Sequence, residues 1–300
     1  MKLSRIIKRF RIDHPHKFRL ADIDPGDTCG LDIDKADAKA IIAKSIQQLA
    51  RRQDVLYAHN RWAVLSIFQA MDAAGKDSAI KHVMSGVNPQ GCEVFSFKAP
   101  SHEELDHDFL WRTNVRLPER GRIGIFNRSY YEEVLVVRVH RELLERQKLP
   151  DEVVDKNIWQ WRFQSINALE QHLARNGTKI VQFHLRISKE EQRKRFLDRL
   201  DEPGKRWKFS MDDIKERALW DKYMDAYEDM IRVTSTPQAL WYVVPADNKW
   251  FARLLVAAVM VEELEGLDLE YPKVGGPLLK ELRNVRRTLE AEGKSGKAKS

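Results

Sequence analysis

The stretch WAVLSIFQAMDAAGKDSAIKH, Trp62 to His82, passes from a strand pattern to a helix pattern across a turn that ends in Gly75-Lys76. From Ala63 to Phe68 nearly every residue is apolar, which suits a central parallel strand buried on both faces, and a helical pattern starts at Lys76. Small residues at Ala73, Ala74 and Gly75 let main-chain N–H groups approach an anion. The positive end of the following helix adds field, and Lys76 reaches a bridging or terminal phosphate. Two positions depart from the usual phosphate loop: Ala70 stands at its first glycine, and Asp77 stands where a Ser or Thr would hold magnesium. Asp72 lies inside the loop, and a carboxylate in an anion cradle calls for a cation between them, so it reads as a magnesium ligand or a base. By itself, Gly-Lys after an apolar strand is also the pattern of a tight turn with a solvated lysine. The rest of the chain has to decide.

Three hundred residues with 43% apolar content suffice for one large domain with an insertion and a substantial core. The net charge of +7 and a pI near 9.3 point to an acidic partner: nucleic acid, a membrane surface or a polyanionic small substrate. Cys29 and Cys92 lie far apart without metal-ligand spacing, which argues against a disulfide framework or a zinc site and for a reducing cytoplasm. The basic N-terminus has no long apolar core, and no stretch reaches the roughly 20 apolar residues that span a bilayer, so a soluble protein is expected.

In chain order, residues 1–34 mix basic residues with turn signals and read as an extended arm. A long helix from an Asp34 cap to Asn60 leads into the first strand. After the loop and its helix, Cys92 to Phe97 reads as a second strand, and Ser101 caps a helix that carries Arg112 and, one turn on, Arg116, both within reach of a phosphate. The third strand, Arg122 to Phe126, ends in Asn127-Arg128. Ligands of an open parallel sheet gather outside the carboxyl ends of its strands, so these two residues face the same crevice as Lys76. The plainer role for Asn127 is to cap a helix, but the arginine next to it and the Gly-Lys loop one strand away favour function. A helix over 154–175, rich in aromatics that read as core or subunit contact, precedes a fourth strand at 179–185. Arg193, Arg195, Arg199, Lys205, Arg206 and Lys208 then cluster on a helix and the Pro203-Gly204 turn, where mononucleotide kinases carry a mobile lid. A solvated helix face is the plainer account of such a charge run. An amphipathic helix over 211–232 leads to a fifth strand at 240–245, which ends in Ala246-Asp247, and the tail from Glu290 lacks apolar residues and reads as disordered.

The phosphate loop with Asp72 to Lys76, Asn127-Arg128-Ser129, the run DEPGKRWKF and Pro245-Ala246-Asp247, in this order, resemble the polyphosphate kinase 2 family over about Arg19 to Pro272. The resemblance implies a three-layer α/β/α P-loop kinase fold of the thymidylate kinase type, a five-stranded parallel sheet with a helical lid. It divides the chain into an arm at 1–34, a kinase domain at 35–272 with a lid at about 188–212, and a C-terminal helix with a basic tail at 273–300. The activity implied is magnesium-dependent transfer of a terminal phosphoryl group between inorganic polyphosphate and a nucleotide. Manganese is an alternative metal, AMP, ADP and ATP are the nucleotides, and GMP and GDP are further candidates. Asn127 and the run HDFLWR are most similar to the subgroup acting on both AMP and ADP. A homodimer or homotetramer is expected, with no nucleic-acid or membrane partner.

Asp72, Lys76, Asn127 and Arg128 carry the chemistry on this reading, with Asp72 holding the metal. Ala73, Ala74, Gly75, Lys76, Lys81, Arg128, Arg193, Lys194, Arg199 and Lys208 hold phosphate, the lid members lining a polyphosphate channel. Asp77, Asn88, Arg112, Arg116, Tyr130 and Glu132 are assigned to the nucleotide. Two rival functions share some of these features: an ATP-dependent nucleotide or small-molecule kinase, and a nucleic-acid-binding protein whose basic face meets a phosphate backbone.

Overall fold

In the computed structural model, residues 3–31 and 35–297 are described. Asp34, the expected cap of the long helix, lies outside them. The elements in chain order are α1 (Leu3–Phe10), α2 (Lys35–His59), β1 (Ala63–Gln69), α3 (Lys76–Val83), β2 (Cys92–Ser96), α4 (His102–Leu105) and α5 (Trp111–Asn114). They continue with β3 (Ile123–Asn127), α6 (Val136–Val139), α7 (Ile158–Arg175), β4 (Thr178–Arg186), α8 (Lys189–Asp201) and α9 (Met211–Ala218). The chain closes with α10 (Trp220–Thr234), β5 (Trp241–Pro245), α11 (Lys249–Glu265) and α12 (Gly276–Lys297).

The five strands form one parallel sheet in the order β2-β3-β1-β4-β5. All seven residues of β1 are buried, as its unbroken apolar run requires of a strand covered on both faces. The helices α1, α2, α3 and α11 pack together in one layer, while α6, α7 and α10 form the other. Within the sheet Phe68 stacks on Phe183 at 4.9 Å between ring centroids, and Trp241 of β5 takes Tyr131, from the turn after β3, edge-on at 5.0 Å. Each such fully buried side chain contributes about 1.5–3 kcal/mol of burial. The α/β class, the parallel sheet and its five strands are as the sequence indicates.

Three local expectations change. The N-terminal segment is not extended: α1 buries Ile6, Ile7 and Phe10, residues at i, i+1 and i+4 that form a helical stripe between the basic ones. The segment continues along the sheet edge, where the Ile12 amide donates to the Trp241 carbonyl at 2.9 Å. The helix expected to carry Arg112 is broken into α4, with its Ser101/Glu104 capping box, and α5. The amphipathic run after Met211 is likewise split at Leu219 into α9 and α10. One compact unit extends to Leu269. From Glu270 the chain forms a second unit, whose α12 runs on to Lys297 where disorder was expected; Glu, Ala and Lys in that stretch are good helix formers.

Candidate functional site

The register sets the site. Phe68 of β1 lies opposite Asn127 of β3, so the two strands end together and the loops that follow them share one crevice. Gly75 takes φ +104° as the N-cap of α3, a conformation that glycine adopts without strain, and Ala73 is held at φ +63°. The loop is fixed from outside by Arg195 of α8, only 5% exposed. Its Nη1 donates to the carbonyls of Ala73 (3.0 Å) and Ala74 (2.9 Å), and its Nη2 to those of Ala246 (2.7 Å) and Asp247 (2.9 Å) after β5. The guanidinium thus ties the carbonyl oxygens of the phosphate loop to the end of β5.

Lys76 is buried and its Nζ donates to the Ala70 carbonyl at 2.7 Å. Burial first, then the neighbouring Arg128, lowers its ammonium to about 8, against the opposing pull of Asp72, Glu132 and Asp77. Arg128, at φ +64°, donates from Nη2 to Asp72 Oδ1 at 2.8 Å and pairs with Glu132 at 3.5 Å. Glu132 and then Asp72 raise its guanidinium further above the ordinary arginine range, so it stays charged. Asn127 donates to Asp77 Oδ1 at 2.6 Å. Asp77 stands where a phosphate loop carries its hydroxyl, and here it joins α3 to the end of β3.

These groups open into a cavity of about 710 Å³. Its walls carry nine cationic side chains (Lys76, Lys98, Arg128, Arg195, Arg199, Lys205, Lys208, Lys249 and Arg253) against three acidic ones (Asp72, Asp77 and Asp198). Such a crevice concentrates polyanions, and a preorganised set of donors around a phosphate loop can stabilise a phosphoryl group in transfer.

The structure gathers Asp72, Ala73, Ala74, Gly75, Lys76, Asp77, Asn127, Arg128, Arg199 and Lys208 around that cavity, with Glu132 beside Arg128. It does not bring in the others. Arg193 points away and pairs with Glu190 on the exposed side of α8, next to the exposed Lys194. Lys81 is exposed on α3 and takes no part in the cavity walls. Asn88 caps a turn before the amino end of β2, whereas the crevice lies at the carboxyl ends of the strands. Arg112 is buried, bonded to the Lys98 carbonyl at 2.8 Å and set over the Phe97 ring, while Arg116 lies over Phe95. Tyr130 is wholly buried and donates to Glu170 Oε1 at 2.8 Å, so its hydroxyl serves the core. The residues missed are Arg195 and Lys205, both in the basic run yet unassigned, and Lys98, Lys249 and Arg253. Lys249 had a signal, since it opens the helix four residues past Pro245, the carboxyl end of β5.

A family model described as Polyphosphate kinase 2 (PPK2) matches residues 32–272. An ADP-polyphosphate phosphotransferase of Rhodopseudomonas palustris is 57% identical over 250 residues, 83% of this chain and 86% of its own length. An AMP/ADP-polyphosphate phosphotransferase of Meiothermus ruber is 45% identical over 89% of this chain and 96% of its own. Among solved structures, a Polyphosphate Kinase 2 from Arthrobacter aurescens superposes with a TM-score of 0.85 at 40% identity, covering 96% of this chain and 97% of that one.

Proposed function

The chain belongs to the polyphosphate kinase 2 family, and on that premise we propose that it reversibly transfers the terminal phosphoryl group of inorganic polyphosphate to ADP and AMP. The observation that carries this reading is the crevice itself: apart from Arg195, which is committed to main-chain carbonyls, eight cations stand on the loops after β2 and β3, the start of α3, the lid and α11, more than the phosphates of one nucleotide require.

In the forward direction an oxygen of the acceptor's terminal phosphate attacks the end phosphorus of the chain. The bond from that phosphorus to its bridging oxygen breaks, and the electron pair stays on the shortened polyphosphate. The attacking oxygen is already ionised near neutral pH, so no side chain must accept a proton, and catalysis rests on positioning and charge neutralisation. Lys76 and the α3 amides hold the transferring phosphates, Arg128 faces the charge that develops between donor and acceptor, and Asp72 orients Arg128. Arg199, Lys205, Lys208 and Lys249 bind the chain behind its reacting end.

Magnesium takes one or two carboxylates together with phosphate oxygens and waters. Asp72 fits that demand, because Arg128 engages Oδ1 and leaves Oδ2 to a cation. Among the described residues no group of three or more His, Cys, Asp or Glu is placed to hold a metal alone, which suits an ion that arrives with the phosphates. Bound there, Mg2+, or Mn2+ in its place, supplies neutralisation of the donor and acceptor phosphates.

The test is to supply the purified protein with polyphosphate, Mg2+ and ADP in the absence of ATP, and to measure ATP formed. With AMP as acceptor, ADP should appear first and ATP after it. No product from polyphosphate, combined with transfer from ATP to a small acceptor, would place the chain among ATP-dependent kinases. Product from ADP but none from AMP would narrow the acceptors to ADP.

A further inference from the structure

Helix α9 brings the chain back from the lid to the body of the protein, and none of its residues is buried. A helix without a buried face is held in place by its side-chain bonds, and those of α9 run in two directions. Asp213 pairs with Arg199, a wall of the crevice, at 3.5 Å, and Arg217 donates to the Lys189 carbonyl at 2.6 Å and to Gln192 at 2.9 Å. Those partners lie on α8, itself part of the lid, so they join lid to lid. Glu216 turns the other way. Its Oε2 accepts from the Tyr223 hydroxyl of α10 at 2.5 Å and lies 2.9 Å from Nε2 of His140, the residue that ends α6. Burial, then Glu216, pushes the Tyr223 hydroxyl above the ordinary tyrosine range, so it remains a donor.

We propose that Glu216 is a positioning residue that latches the lid's return helix to the body, and that the protonation of His140 sets the strength of the latch. The ring stands between two carboxylates, with Nδ1 3.3 Å from Glu142 and Nε2 2.9 Å from Glu216. A neutral imidazole has one N–H and turns a lone pair toward one of the two, whereas the imidazolium donates to both. Other charged groups on the elements packed against His140 have partners of their own: Arg138 of α6 with Asp229 of α10 at 2.6 Å, and Glu132 and Glu133, in the turn after β3, with Arg128 and Arg162. Arg141, Glu145 and Arg146 are exposed on the turn that carries Glu142. Burial pulls the His140 pKa down, and the bonds to Glu216 and then Glu142 outweigh it, so the ring keeps its proton above the ordinary histidine value of 6.5. The latch is therefore complete below 6.5 and weakens as pH rises through the higher value of the folded state. A looser latch frees the lid that carries Arg199, Lys205 and Lys208, so the cost falls on binding of polyphosphate; that kinetic consequence rests on the proposed reaction, and the latch itself does not.

The test is amide hydrogen exchange across residues 202–218 of the ligand-free full chain, corrected for intrinsic exchange, at about pH 6 and about pH 8.5, on either side of the histidine range. In the wild type the lid should open about fivefold more often at the higher pH, the ratio between a charge-assisted and a neutral hydrogen bond. His140→Gln keeps a donor for Glu216 and cannot be charged, so its lid should be as open at the lower pH as the wild type is at the higher one. Glu216→Gln should open the lid at both. With polyphosphate and ADP, the apparent KM for polyphosphate of His140→Gln should exceed that of the wild type at the lower pH and converge with it at the higher, while Lys76 titrates in both proteins and cancels from the ratio. A contact that is merely structural would leave that KM ratio independent of pH. Wild-type exchange that is the same at the two pH values overturns the proposal with no variant needed, and so does a His140→Gln lid that keeps the wild-type pH dependence. Because exchange needs no substrate, failure to transfer from polyphosphate would count against the proposed reaction, and an unresponsive lid against the latch.

Discussion

Arg195 should matter more to this protein than any other lid arginine, although its guanidinium is directed at main-chain carbonyls. Replacing it by Met removes four bonds to carbonyls, of 2.7 to 3.0 Å, and a fifth to Glu191 at 2.8 Å. Hydrogen bonds to a charged group are worth about 1.5–3 kcal/mol each, but these share one donor, so their sum overstates the loss. Breaking one partner out of a buried charged network costs about 3–5 kcal/mol, and that range is the expectation for Arg195→Met in denaturant unfolding. The kinetic effect follows from the loop: Ala73, at φ +63°, is held by the same guanidinium that holds β5, and a phosphate cradle misplaced by about 1 Å costs on the order of 100-fold in rate. kcat at saturating polyphosphate should therefore fall by about 100-fold. Arg195→Lys should recover little of either quantity, because an ammonium lacks the planar fork that reaches two carbonyl pairs at once. A Met variant within about 0.5 kcal/mol and about threefold of wild type, or a Lys variant that restores both, would refute the idea that Arg195 staples the loop.

Lys76→Met should abolish most turnover and yet stabilise the ligand-free protein. The ammonium falls from 10.5 in the open chain to about 8 in the fold, so the unfolded chain holds the extra proton between those pH values and stability rises with pH across that window. At pH 7 the buried charge is a net cost, and its removal, less the bond to Ala70, should add about 1–3 kcal/mol; a destabilised variant would contradict this. In the wild type kcat/KM should fall as pH passes about 8 and the free enzyme loses that charge; a profile flat to pH 10 would show that the proton is irrelevant. Asp72→Asn should lower activity and raise the magnesium needed for half-maximal rate, while an unchanged magnesium requirement would remove Asp72 from metal binding. Lys208→Ala and Arg199→Ala should weaken apparent affinity for polyphosphate, more for long chains and more as salt rises. Arg193→Ala, whose partner is the solvent-facing Glu190, should leave kinetics unchanged and stability within about 0.5 kcal/mol.

The parts of the site that could be read from sequence are those where the hydrophobic period changes. The apolar run of β1 yields to the helical pattern of α3 across Gly75-Lys76, and β3 ends in Asn127-Arg128, so both strand ends and the crevice between them were legible. The lid's position was legible but its inward face was not, because KEEQRKRFLDRLD is charged around its whole circumference and no apolar stripe marks its inner side clearly. Only the burial of Gln192, Arg195 and Phe196 identifies it, and Arg199 continues that face one turn on while Arg193 and Lys194 fall outside it. Arg112 and Tyr130 show a different limit, since a functional residue type carries no mark of the partners it has within the fold, which are the Lys98 carbonyl and Glu170.

Two non-glycine residues in the left-handed region, Ala73 and Arg128, explain why the loop differs from a glycine-rich one. Each conformation costs about 1–3 kcal/mol and persists only where surrounding bonds over-determine it. Arg195 fixes the carbonyl of Ala73, and the Arg128 amide donates to the Phe68 carbonyl at 3.0 Å while its side chain is held by Asp72 and Glu132. Glycine at 128 would relieve the strain but remove the guanidinium that faces the transferring phosphate. Glycine at 73 would relieve it and loosen the cradle, because glycine has more conformational freedom to lose. The strain is therefore the consequence of requiring a charged side chain at the end of β3 and a stiff loop at the end of β1, and the same four ion-paired or stapled groups, Asp72, Arg128, Glu132 and Arg195, hold both in place.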